Sequence, residues 1–443
     1  MDWTLLTTLF EQGLTRPLST DLWVMLALFM PFVLFLELPV YILQYVGILI
    51  YWARKENTQE YAYLPKVSCL ITCYSEGALT KNTIRCLAEQ DYAGCIEIIP
   101  VVDGAGLPQN RATLDAVNEI AHLVRQYPKR LMLVLPKWQR GGRVSSLNTG
   151  LSFATGEIIM ALDADTSFDN NMVTNAVRHF TDPNVIGVSG ALRVRNANAT
   201  LVTRLQTLEY LISIHAGRTG LDTFNIINNI SGAFGIFRAK MLRHIGGWDA
   251  GTAEDLDITL RLKSYLGRHP ALRLAFAPDA IAHTDVPETL YDFFRQRMRW
   301  DGDLSYMYLR KHSLVFQRNL LGFANWLSLF WTGLLFQIVF PFIIVLYTTI
   351  ILCTMPLEYI VSLFFMIYTI YLGVTAWLLL TFILFVSERR KQDCALFIIL
   401  PLFPLFTFFT RCVSAFACAW EMFGKGHLDS AMAPWWVLKK SRY

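Results

Sequence analysis

The chain has 443 residues, 54% of them hydrophobic and 17% charged, with 30 Phe and 12 Trp. Long charge-free runs near the start and end exclude an ordinary soluble protein, and a net charge of +4 is too weak to point to nucleic acid. The pattern predicts an integral membrane protein with one soluble domain inserted between its spans.

Residues 1–21 are mixed, with Trp3, Leu5, Leu6 and Phe10 suggesting a short interfacial helix. Leu22–Trp52 carries one charge, Glu37, and exceeds the ~20 residues a spanning helix needs. Pro31 and Pro39 are its expected kinks. A mid-membrane glutamate facing lipid costs about 3 kcal/mol, so Glu37 is expected to face another helix or a wet cavity, the alternative being an interfacial position. Arg54 and Lys55 follow at once and place this end in the cytoplasm. No cleavable signal peptide is expected, because the N-terminus lacks a basic region and its apolar stretch is too long. Eight cysteines without Cys-x-x-Cys or zinc-type spacing predict buried free thiols in a reducing compartment.

Residues 63–286 alternate strand and helix. Strands are predicted at Val67–Cys73, Ile96–Val102, Leu131–Leu135, Ile158–Leu162 and Val185–Ala191. Helices are predicted at Ala78–Glu89, Ala112–Gln126, Val144–Ala154 and Asn170–Phe180. Such alternation predicts a mostly parallel sheet with helices on both faces and active residues at the carboxyl ends of the strands. Ile158–Leu162 ends in Asp163-Ala164-Asp165. Residues two apart on an extended segment point the same way, and paired carboxylates at a strand end suit a hard divalent cation carrying phosphate oxygens. The alternative is that both acids cap the following helix.

Thr72, Glu76 and Asp103 close the first two strands, where an acid can accept hydrogen bonds from nucleoside hydroxyls or simply cap a turn. Gln139-Arg140-Gly141-Gly142-Arg143 is a basic glycine turn opening a helix, a combination that favours phosphate, although a solvated loop has the same composition. Ala253-Glu254-Asp255 stands at another helix entrance. A carboxylate there can act as general base on an incoming hydroxyl, or serve as a first-turn acid. His283 can approach a metal near Asp165, and a packed or surface histidine is the competing assignment.

Residues 287–315 form an amphipathic interface segment, with Leu290, Phe293, Phe294 and Met298 opposite Arg295, Arg297 and Arg299. Gln296, Arg299 and Trp300 share one helix face, which can bind a diphosphate and a sugar ring or anchor the helix in lipid headgroups. Residues 319–421 make the C-terminal membrane region, about three apolar segments, before a tail at 422–443. The turn after Ser387 holds Arg389, Arg390 and Lys391 and belongs in the cytoplasm, while Cys353–Glu358 has no Lys or Arg and belongs outside. The last segment contains Pro401, Pro404 and Arg411, and either a full crossing or a re-entrant helix remains open.

Glu97–Asp103, Asp163-Ala164-Asp165, Ala253-Glu254-Asp255 and Gln296-Arg297-Met298-Arg299-Trp300, in this order, resemble the motifs of the family 2 membrane glycosyltransferases. The processive polysaccharide synthases belong there, and the frame looks most like the bacterial poly-N-acetylglucosamine synthases. The resemblance covers residues 67–300. It implies a GT-A-like, Rossmann-like α/β domain in the cytoplasm between transmembrane helices of the inner (plasma) membrane. It implies a UDP-sugar donor, with UDP-N-acetylglucosamine the best match, Mg2+ or Mn2+, and a growing polysaccharide as acceptor. Membrane or periplasmic export subunits are further partners it admits. Asp103, Thr72 and Glu76 would lie by the uridine, Asp163 and Arg143 by the nucleotide, and Asp165 with Asp163 at the metal. Asp255, beside Glu254, would be the catalytic base. Gln296, Arg299 and Trp300 would bind the diphosphate and acceptor end, and Ser231-Gly232-Ala233-Phe234 would line the acceptor side. A single transfer to a lipid, and a degenerate domain acting as receptor or transporter, are the alternatives to a processive synthase.

Overall fold

The computed structural model describes residues 33–55, 63–249 and 252–429. The expected interfacial segment at 1–21, the first part of the N-terminal apolar run and the end of the tail lie outside the described residues. Helix α1, Leu38–Lys55, follows a π-helical turn at Val33–Glu37. Pro39, the second residue of α1, meets the π turn there.

The soluble part begins with β1, Val67–Cys73, then α2, Leu79–Ala88, and β2, Ile96–Asp103. Helix α3 is Arg111–Val124. The single strand expected at Leu131–Leu135 is instead two short ones, β3 at Arg130–Met132 and β4 at Leu135–Lys137, both beside β2. Helix α4, Gly142–Phe153, leads to β5, Ile158–Asp163. Strand β1 runs parallel to both β2 and β5, with Thr72 opposite Asp163 in register. The three strands are apolar and almost wholly buried, as strands covered on both faces must be.

Beyond β5 the sheet departs from the expected parallel order. Strand β6 is Ser167–Phe168, α5 is Met172–Val177 and β7 is Val185–Val194. Helices α6, Leu201–Glu209, and α7, Gly217–Asp222, flank a π-helical stretch at Tyr210–Ala216. Strand β8, Phe234–Arg238, pairs antiparallel with both β5 and β7. Helix α8 is Ala239–His244, α9 is Glu254–Leu266, and β9, Arg273–Thr284, runs parallel to β7 and antiparallel to β6. The result is one mixed nine-stranded sheet. Its reversal at β8 brings the loop before β8 against the end of β5.

The amphipathic helix α10 is Leu290–Tyr306, capped by Thr289, whose Oγ1 accepts from the Asp292 amide at 3.1 Å. Three long apolar helices follow among the described residues, α11 at Phe323–Thr354, α12 at Leu357–Phe385 and α13 at Leu400–Gly424. With Phe35–Arg54 they make, among the described residues, four helices long and apolar enough to cross a membrane. A short helical turn at Ala395–Ile398 precedes α13, whose own first residues, Leu400–Leu402, form a tighter turn around Pro401.

Glu37 is buried, as expected for a charge that avoids lipid, and takes the Tyr371 hydroxyl across from α12. Helix α1 also crosses α7 closely. A Cβ built on Gly47 would lie 2.0 Å from the Gly220 carbonyl oxygen, and the Thr223 hydroxyl donates to the Gly47 carbonyl at 3.0 Å. The loop between α12 and α13 docks on the sheet. Arg193 of β7 makes a buried two-pronged pair with Asp393, at 2.9 and 3.1 Å. All eight cysteines are free.

Candidate active site

Arg143, on the first turn of α4, is the centre of the site. Its Nη1 donates to Asp163 Oδ1 and, at 2.8 Å, to the Thr72 hydroxyl. Its Nε donates to Glu254 Oε1 at 2.5 Å and its Nη2 to the Gly232 carbonyl at 2.6 Å. One guanidinium thus joins the ends of β1 and β5, the start of α9 and the loop before β8. Asp163 and Glu254 hold Arg143 firmly cationic despite its burial. The turn was expected to offer its donors to phosphate, whereas here they face carboxylates. The Gly141 and Gly142 amides donate to Asp103 at 2.9 and 2.7 Å, and Lys137 donates to the same carboxylate at 2.7 Å.

Asp163 ends β5 and Asp165 stands in the turn after it. Ala164 is buried between them, its carbonyl taken by the Thr83 hydroxyl at 2.7 Å. Burial, then the neighbouring Asp163, push the Asp165 carboxyl above its ordinary value. Burial raises Glu76 to about 7, with Asp163 and Asp165 adding to the rise. A cation between the paired acids would relieve that repulsion. No group of three or more His, Cys, Asp or Glu suited to a metal occurs among the described residues. Two carboxylates nevertheless fit Mg2+ or Mn2+, which keep waters and take further oxygens from phosphate. His283 is not in this cluster. Its Nε2 lies 2.9 Å from Asp169 Oδ1, and Arg389 from the α12–α13 loop donates to both Asp169 oxygens at 2.8 and 2.9 Å.

Glu254 and Asp255 open α9 after Ala253, which is left-handed at φ 45°. A non-glycine residue there is strained, and such strain gathers at working sites. Asp255 Oδ1 accepts the Leu256 amide at 2.8 Å. Its Oδ2 accepts the Gly232 amide at 3.1 Å and the Asn229 side chain at 3.4 Å. The fixed carboxylate therefore borders the Ser231–Phe234 stretch. Arg218, hydrogen-bonded to Ser189 at 2.9 Å, faces Asp255 electrostatically.

On α10, Trp300 is 37% exposed and leaves a ring face available, while Arg297 lies under it at 5.0 Å and pairs with Glu209 at 2.6 Å. Gln296 Oε1 is buried without a hydrogen-bond partner among the described residues. One turn beyond Arg299, Asp303 is buried and hydrogen-bonded to Thr252, with Arg299, Glu254 and Asp255 acting on its charge. This link brings the α10 face to the α9 acids. Sequence reasoning missed Asp303, Arg218 and Asn229. Asp303 alone had a signal, since it continues the stripe of Gln296, Arg299 and Trp300 by one more turn.

The pattern of glycosyl transferase family group 2 matches residues 158–420, and that of glycosyl transferase family 2 matches residues 68–246. The chain belongs to the family 2 glycosyltransferases. A poly-beta-1,6-N-acetyl-D-glucosamine synthase of Staphylococcus epidermidis is 26% identical over 279 residues, 61% of this chain and 64% of that protein. A probable glycosyltransferase of Bacillus subtilis, YdaM, is 31% identical over 260 residues, 58% of each chain. The matched stretches thus span less than two thirds of these relatives. In fold, the chain is similar to a mannosyltransferase of Pyrobaculum calidifontis solved with GDP-Man and Mn2+. That match has a TM-score of 0.52 at 18% identity and covers 87% of this chain and 99% of that one.

Proposed function

We propose that the chain is an inverting glycosyltransferase that polymerises a β-linked polysaccharide from a UDP-sugar, best matched by UDP-N-acetylglucosamine. Arg143 carries the proposal. It ties the acid pair of β5 to the α9 entrance, so that donor-side and acceptor-side carboxylates share one crevice. Asp163 and Asp165 would hold Mg2+ or Mn2+, which neutralises the departing diphosphate. Thr72, Glu76 and Asp103 border the place of the nucleoside, and Arg143 fixes Asp163 beside it. Gln296 and Arg299 approach the diphosphate, and Trp300 offers its ring to the acceptor sugar.

Asp255 takes the proton from the acceptor hydroxyl as that oxygen attacks the anomeric carbon. Glu254, held by Arg143, fixes the start of α9. A single base and a direct displacement invert the anomeric centre. The homology to the Staphylococcus epidermidis synthase supports a polymeric product, and the four apolar helices support a membrane seat. Arg54 and the Arg389–Lys391 turn, on the catalytic side, favour a cytoplasmic domain of the inner membrane, with the polymer leaving through a channel between the helices.

The test is UDP release by detergent-purified full-length protein given UDP-N-acetylglucosamine, UDP-glucose, UDP-galactose or UDP-glucuronate, with product length measured. Asp255→Asn should abolish transfer and leave nucleotide binding. Near-normal turnover in that variant overturns the assignment of the base, and a product stopped at one added sugar overturns polymerisation.

A further inference from the structure

Lys263 is fully buried near the end of α9 and has no carboxylate partner among the described residues. Burial alone pushes its ammonium down to about 7. An unpaired cation in that position is costly, and a leucine or methionine would avoid the cost. Its Nζ donates to the Ile227 carbonyl at 2.9 Å and to Asn228 Oδ1 at 2.6 Å.

Asp255, Thr259 and Lys263 are spaced four apart and form one stripe along α9. Each grips the segment 227–232 that leads into β8. Asp255 accepts from Gly232 and Asn229. Thr259 Oγ1 accepts the Ile230 amide at 3.0 Å, and Lys263 holds Ile227 and Asn228. The lysine also decides which way the Asn228 amide faces. With its oxygen on the ammonium, the NH2 group points away and donates to Ser328 Oγ at 3.2 Å and to Thr332 Oγ1 at 2.5 Å, both on α11.

We propose that Lys263 is a positioning residue for acceptor chemistry, one that locks the segment 227–232 between the first turns of α11 and the carboxylate of Asp255. The apolar helix that begins at Phe323 and the base that meets the acceptor are thereby one mechanical unit. The donor-side Asp163 reaches this segment through Arg143, which donates to the Gly232 carbonyl at 2.6 Å, whereas Lys263 and Asn228 hold its far end, so cutting the link there should impair acceptor steps more than donor steps. The proposal rests on Asp255 being the base, and Asp255→Asn run in parallel tests that point by itself.

The experiment uses full-length protein in detergent and the donor that supports UDP release by the wild type. It compares Lys263→Met, Asn228→Leu and the double variant. UDP release to water, transfer to a β-linked oligosaccharide of the same sugar, and thermal unfolding are each measured. Transfer should fall by about tenfold, since small misplacement of a reacting group is costly, while release to water and the KM for donor change less than about twofold. The double variant should match either single one, because both cut the same link. Parallel loss of transfer and release, additive losses in the double variant, or wild-type transfer in Asn228→Leu would each overturn the proposal. Asn228→Leu keeps the test decisive if Lys263→Met does not fold.

Discussion

Arg143 Nε meets Glu254 Oε1 at 2.5 Å across 111 positions of sequence, with the same guanidinium bound to Asp163. Removing it leaves a buried carboxylate without its counter-charge. Arg143→Ala should therefore destabilise the protein by about 3 kcal/mol and weaken UDP binding together. Thermal unfolding and titration with UDP check this. Arg143→Lys should recover only part of both, because an ammonium cannot bridge Thr72, Asp163, Glu254 and Gly232 at once.

Asp165→Asn removes one of two like charges at the β5 end. Chelation by EDTA should abolish UDP release in the wild type, and Mn2+ or Mg2+ should restore it. In Asp165→Asn the Mn2+ concentration needed for half-maximal UDP binding should rise at least about tenfold, as expected for loss of one of few protein ligands. Equilibrium binding of UDP at graded Mn2+ is the measurement. Unchanged Mn2+ dependence would remove Asp165 from the metal site.

Burial lifts the Asp303 carboxyl to about 7, with Arg299 and the Thr252 hydroxyl pulling the other way. The folded state therefore holds this proton between the ordinary carboxylate range and about 7, where the unfolded chain has released it. The associated stability is present at low pH and lost as pH rises through about 7. Asp303→Asn should unfold like the wild type near pH 4 and be more stable at pH 8 by on the order of 2–4 kcal/mol. Thermal unfolding of the purified protein across that range decides it. A constant difference at every pH would mean that packing, not charge, dominates at this position.

Gly47 and Gly220 let α1 and α7 touch backbone to backbone. A methyl group on either side meets the opposite main chain rather than a movable side chain. Gly47→Ala and Gly220→Ala should each lower the thermal midpoint by several degrees, corresponding to an overpacking cost of about 1–3 kcal/mol. Differential scanning fluorimetry compares them.

The parallel half of the sheet was legible because β1, β2 and β5 are short apolar runs that end in polar turns. Beyond β5, the apolar run Val185–Ala191 was legible as β7, but β6, β8 and β9 were not. Strand β8 is five residues between a glycine-containing loop and a basic helix, and β6 is two residues long, so neither has a period to read. The paired acids of β5 and the acids opening α9 were legible from local spacing alone. What those acids touch was not. Arg143 reaches Glu254, Arg389 reaches Asp169 across 220 positions, and Lys263 reaches Asn228 only because the sheet reverses at β8. For His283 the packed alternative holds, since the pairing of β6 with β9 hands it to Asp169.

Arg193 and Asp393 stand 200 residues apart and close on each other away from water. During synthesis, β7 emerges long before its partner, and the arginine must wait hydrated until the loop beyond α12 is made. A fragment cut after β9 would lack Asp393 and leave the Arg193 guanidinium without this carboxylate.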